Sequence, residues 1–277
     1  MLSALSTSTP PVVNPPPPPP PPPVRGSLVE PATQTARLSA EQFTALLRAD
    51  TTGRTLELET LDPARVYAVD YLLADSGEAA MSRFGHAMLR LVVCAPGREP
   101  GPQCRMDLAY HRVLSFRAFV NDVQISSWRG LTGAYPARLF VLPLDQVIDE
   151  YTRIELRDLQ AWPLALSAAQ TGALLQLAAR AHWSYDGRYR FIGNNCAVES
   201  GRLLDLALTP PRRRLQATTP RGVLHRLQRA GLAAVQRPST RSGDGLYFAS
   251  AREDYRQLLQ GLQQDGWAPP LPLERWL

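Results

Sequence analysis

Residues 193–201 read "GNNCAVESG", and where Cys196 sits in them governs how the rest of the chain is read. Two asparagines precede the cysteine and a helical pattern follows it, running to about Leu208. A helix start carries unpaired N–H groups and a partial positive charge, so a first-turn cysteine is drawn towards its thiolate. That suits a nucleophile. The competing expectation is a buried structural thiol, because free cysteine packs as a small hydrophobe.

Working outward, runs rich in Val, Leu, Tyr and Phe over 65–72, 84–93, 105–116 and 138–142 predict strands. Helices are expected at 38–47, with Ser39 as N-cap, Gln42 closing a capping box and Leu38 stapled onto Phe43, and at 166–183, with Ser167 and Gln170 in the same roles. Further helices are expected at 144–151, after Thr219 with Pro220 in first position, and at 253–264, with "GDGLYFAS" as a turn and strand between the last two. Helices and strands in blocks rather than strict alternation give an α+β class. Pro15 to Pro23 is unbroken proline, a polyproline rod of roughly 28 Å suited to a spacer. The chain therefore divides into an unstructured segment, 1–37, and a single domain, 38–277, with a core over 66–208 and an extension over 209–277.

Composition removes several function classes. The chain has 277 residues, 44% hydrophobic, and all 30 of its basic side chains are arginine. Without lysine there is no Schiff-base or P-loop chemistry. The net charge of +5 is spread along the sequence. Its one cluster, Arg212–Arg214 after Pro210 and Pro211, reads as a solvated loop more readily than as an anion contact. No recognition-helix or zinc-finger spacing accompanies it, so nucleic acid is not an expected partner. No apolar run reaches the ~18 residues of a membrane span. The first residues lack a basic n-region and an apolar h-region, so no signal segment is visible; the expectation is either a cytoplasmic protein or one whose targeting segment lies upstream of this start.

The reactive inventory is three cysteines and four histidines. No C-x-x-C and no paired histidine spacing is present, so neither a metal nor a cofactor is called for. A thiol nucleophile needs a base, and His86 is the best placed. In "SRFGHAMLRLVV" Phe84, His86, Met88, Arg90 and Val92 share one strand face, and Leu89, Leu91 and Val93 the other. A third residue to orient the base is expected on the next strand, from Asp107, His111 or Tyr110, the choice depending on hairpin register. Arg157-Asp158 reads as a structural charge pair, and "GLTG" at 130–133 as a turn. Cys94 and Cys104 flank a strand connection. They either face each other as a disulfide, which requires an oxidising compartment, or stay unpaired.

The blocks "SRFGHAMLRL", "LAYHRVLSF", "RGLTGAY", "EYTRIELRDLQAWPLALS" and "YRFIGNNCAVESGRLLDLAL", with a weaker echo in "TTPRGVLHRLQRAG", resemble in order and spacing the Lnb N-terminal periplasmic domain family. The resemblance covers roughly 66–208. It implies a permuted papain-like (NlpC/P60-like) antiparallel sheet packed with helices, in which the base histidine precedes the nucleophile, as in the lecithin-retinol acyltransferase group. It makes Cys196 the nucleophile, His86 the base and Asn195 the adjoining residue that supports the oxyanion. It further implies acyl transfer or cleavage in the bacterial envelope, on a lipid or peptide acyl substrate, with a periplasmic location. Lacking a transmembrane helix after the domain, this chain is expected to be a soluble thiol hydrolase or acyltransferase with at most peripheral membrane contact. A non-catalytic binding module on the same fold is the alternative.

Overall fold

The computed structural model describes residues 24–25, 45–49, 56–77, 82–118, 135–190, 193–208, 214–239 and 243–266. Seven strands form one antiparallel run: β4 (Val66–Ala74), β5 (His86–Val93), β6 (Arg112–Ala118), β7 (Tyr135–Pro143), β8 (Leu159–Pro163), β9 (Tyr185–Tyr189) and β10 (Tyr247–Phe248). Their order is β9-β7-β6-β5-β4-β8-β10. Three strands precede them in the chain. β1 (Val24–Arg25) pairs in parallel with β9, and β2 (Ala45–Ala49) pairs with β3 (Leu56–Thr60) and touches β7.

Alternation along β5 sorts its side chains between two cores, as expected of a central strand buried on both faces. Ala87, Leu89, Leu91 and Val93 join Tyr71, Leu73, Leu114 and Phe116 under the helices α2 (Ala168–Ser184), α3 (Cys196–Ala207) and α4 (Pro220–Arg229). Met88 faces the other way, with Leu72, Ala74 and Val113, under α1 (Leu144–Ile148) and the π-helical turn Asp149–Ile154 that extends it. The Tyr71 hydroxyl donates to the Pro220 carbonyl at 2.7 Å and docks α4 on the sheet. A final helix, α5 (Arg252–Gln264), follows β10 and buries none of its residues. The class is α+β, as expected.

The capping chemistry read from sequence is present. Ser167 and Gln170 form a full capping box on α2, and Thr219 caps α4 ahead of Pro220. Two expectations are corrected. Residues 45–47, assigned to a helix, lie in strand β2, paired in register with β3; the caps proposed for that helix, at 39 and 42, fall outside the described residues. Residues 105–116 are not one strand: the 3-10 turns Pro102–Met106 and Leu108–Tyr110 occupy the first half, and β6 begins only at Arg112. The turn-forming Gly101-Pro102 and the tether at Cys104 override the strand propensity there. Strands β8 and β9 were not anticipated. The polyproline run and "GLTG" lie outside the described residues.

Candidate active site

The β9–α3 connection presents Cys196. Arg190 and Asn194 close it as an isolated bridge, and Gly193 takes φ +101°, a conformation that favours glycine. Asn195 then caps α3, its Oδ1 accepting from the Ala197 and Val198 amides at 3.0 and 3.1 Å while its Nδ2 donates to the Thr218 carbonyl at 2.9 Å. Further down the helix, Gly201 lets the 214–217 segment pass close by: a Cβ there would lie 2.7 Å from the Gln216 Cα.

Cys196, the first residue of α3, is buried against the central sheet. Its thiol meets the backbone of Ala87 and the hydroxyl of Tyr189. Burial pushes the thiol up from its ordinary value, outweighing the hydrogen bonds that pull it down. The lowering expected from the helix start alone is therefore not realised in this arrangement.

His86 opens β5, directly before the Ala87 that touches the thiol. Gly85, at φ +80°, makes the approach possible, since a Cβ there would sit 2.5 Å from the Ala74 carbonyl oxygen. The imidazole lies on the face opposite α3. It is hydrogen-bonded to the Ser115 hydroxyl at 2.9 Å and stacked on Tyr151 with ring centres 6.0 Å apart. Burial, then the cationic Arg117 and Arg157, holds it well below the ordinary histidine value. Arg117 donates to Ser115 at 2.9 Å and to both oxygens of Glu150, so a polar chain runs His86–Ser115–Arg117–Glu150. The structure thus brings His86 and Cys196 to the same end of the sheet, one backbone step apart, with the two side chains on opposite faces.

None of the three residues expected to orient His86 is near it. Asp107 accepts from the Ala95 amide and pairs with Arg98; His111 is buried against the Cys104 carbonyl at 2.9 Å; Tyr110 is exposed under Arg65. All three stand at the opposite end of β5, because β6 starts where β5 ends. The group that does meet His86 is Ser115, whose place on the Val113 face was readable from alternation once β6 was known to begin at Arg112. Tyr189 was likewise missed, having no spacing rule that links it to Cys196. Glu199, one turn along α3, is another: buried, paired with Arg202 at 2.9 Å and facing the Tyr185 hydroxyl. Arg157 and Asp158 are structural but not partners of each other. Arg157 binds Glu155 and the Asp75 carbonyl, whereas Asp158 receives the Tyr247 hydroxyl and the Ser250 amide.

Cys94 and Cys104 are joined by a disulfide, Cα atoms 4.7 Å apart, and Cys196 is the remaining, free cysteine. The bridge closes the loop after β5 onto a 3-10 turn rather than linking two strands. Among the described residues no cluster of His, Cys, Asp or Glu is placed to hold a metal ion, and no helix is long and apolar enough to cross a membrane.

Residues 54–229, more than half of the chain, match the model of the Lnb N-terminal periplasmic domain. The chain belongs to that family. The Lnb N-terminal domain here contains every strand from β3 to β9, the disulfide, Cys196, His86 and the whole of α4, and its description as periplasmic agrees with a disulfide kept in an oxidising compartment. No curated protein and no solved structure matches the chain.

Proposed function

We propose that this Lnb N-terminal domain is a thiol-dependent acyl hydrolase or acyltransferase acting on an ester or amide of the bacterial envelope, built as a permuted papain-like (NlpC/P60-like) sheet. The observation that carries the reading is the placement of the sole free thiol: Cys196 is the first residue of a capped helix and touches the backbone of the residue after His86. At rest both groups are neutral, with the proton on sulfur. The reaction requires the backbone at the start of β5 to turn, next to Gly85, so that the His86 ring leaves Ser115, crosses to the thiol face and takes the thiol proton. The thiolate attacks the acyl carbonyl, and the Cys196 N–H, which at rest faces the Tyr189 hydroxyl and its own sulfur at the start of α3, turns to donate to the oxyanion. The C–O or C–N bond then breaks, and His86 returns its proton to the leaving alcohol or amine. Water or an amine resolves the acyl-enzyme. Asn195 supports this as the cap that fixes the thiol.

One observation favours a second reading, a non-catalytic envelope-binding module: His86 is bonded to Ser115 on the far face. Thiol-probe labelling across pH separates the two. Because His86 takes the thiol proton in a nucleophile pair, Cys196 then labels faster at a given pH in the wild type than in His86→Ala, and carries an acyl mass after exposure to envelope extract. Labelling with the same pH profile in wild type and His86→Ala, with no acyl mass on Cys196, supports the binding module instead.

A further inference from the structure

An open groove of about 480 Å³ lies on the outer side of the α3 start, lined by Val198, the 216–219 segment and α4 residues including His225, Arg226 and Arg229. Its lining is mainly polar, so it does not suit an acyl chain. Its α4 wall is basic by construction. Val223, Leu224 and Leu227 are buried against the sheet, which turns His225, Arg226 and Arg229 outward together. Exposed Arg214 stands on the facing segment, its carbonyl accepting from Arg226 at 3.0 Å. No carboxylate among the described residues forms an ion pair with Arg214, Arg226 or Arg229; Asp205, which feels the charge of Arg226, is engaged by the Leu215 amide. The groove is also tied to the thiol, for Asn195 caps α3 and donates to the Thr218 carbonyl in the groove wall.

We infer that this groove is the seat of an anionic phospholipid headgroup, holding the domain on a bilayer surface with the outer face of α4 towards it. Two features select a lipid over free phosphate. The cationic groups are exposed along one helix face instead of enclosing a small ion, which suits a charged plane. The groove is open and polar, fitting a headgroup presented from a surface. The inference deepens the proposed function and draws its purpose from it, but the binding does not require a reactive thiol.

The test is co-sedimentation of the full chain with vesicles of phosphatidylglycerol and of phosphatidylcholine, run in parallel on the Cys196→Ala chain. The wild type and Cys196→Ala are expected to bind the anionic vesicles alike, to ignore the neutral ones and to release as salt rises. Arg229→Gln should weaken binding about fivefold, and Arg226→Gln/Arg229→Gln roughly twentyfold. Arg153→Gln, an exposed arginine paired with Asp149 away from the groove, should change nothing. Among the described residues the Arg229 side chain has no hydrogen-bond or ion-pair partner to lose, so its variant serves even if the double variant misfolds. Equal binding to both vesicle types overturns the inference, as does an equal loss in Arg153→Gln. So does a raised melting temperature in inorganic phosphate with no vesicle binding. Because Cys196→Ala is included, failure of the thiol mechanism leaves the vesicle result standing.

Discussion

The two ends of the central sheet are built on opposite electrostatic principles. At the end where β5 finishes, charges are buried and matched. Asp70 and Arg90, both fully buried on neighbouring strands, pair at 2.5 Å, and Arg105 adds a second guanidinium at 2.9 Å. The Cys94–Cys104 disulfide and the His111 bond to the Cys104 carbonyl close the same corner. At the end where β5 begins, the buried titratable groups are driven to their neutral forms: His86 downward, and Cys196, Tyr151 and Tyr189 upward, with desolvation the leading cause in each. The first end spends its polar groups on each other. The second keeps a thiol, an imidazole and two phenols together without an ion pair among them, which is the arrangement from which protons can be moved. A single strand, β5, carries both ends.

The largest test of this contrast removes the anion of the braced end. Asp70→Ala strands the fully buried guanidinium of Arg90 and takes the partner of the half-buried Arg105, and should cost about 3–5 kcal/mol in a denaturant melt, while the labelling rate of Cys196 in the folded protein stays unchanged. A cost near zero would remove the distinction between the ends. Next comes acid. His111 is held down to about 4 by burial, so its neutral form is favoured in the fold. Its contribution is complete above the unfolded value near 6.5 and lost as pH falls towards 4, about 3 kcal/mol over that window. His86 and His182 are shifted in the same direction and add to the loss. Urea melts at pH 7 and pH 4.5 should show it, and His111→Asn should flatten it. Opening the disulfide ranks third. Cys94 and Cys104 are ten residues apart, and Cys94→Ser/Cys104→Ser should lose about 2–3 kcal/mol with Cys196 reactivity intact. The smallest effect on stability belongs to the other end and reverses the pattern: Asn195→Ala removes one helix cap, about 1 kcal/mol, yet should alter Cys196 labelling more than any of the preceding three, because it frees the turn that holds the thiol.

Local chemistry was legible in the sequence. The caps at Ser167 and Thr219, the start of α3 at Cys196, the alternation of β5 and the turn before β10 all depend on interactions within a few residues, and each appears where its pattern puts it. The pairing of Cys94 with Cys104 was within reach for the same reason, being a short-range closure. Tertiary structure alone decided the rest. Residues 45–47 carry a helical pattern but lie in β2, because pairing with β3 outweighs a weak local propensity. The partner of His86 turned on where β6 begins: two 3-10 turns displaced Asp107, Tyr110 and His111 to the far end and brought Ser115 alongside. The face that each side chain of β5 presents is set by a period of two, but which face meets α3 is a property of the packed sheet. From the sequence His86 was the best-placed base for Cys196, and the resemblance paired them; the fold put both at one end of the sheet with the β5 backbone between them, since adjacent residues of a strand point to opposite sides.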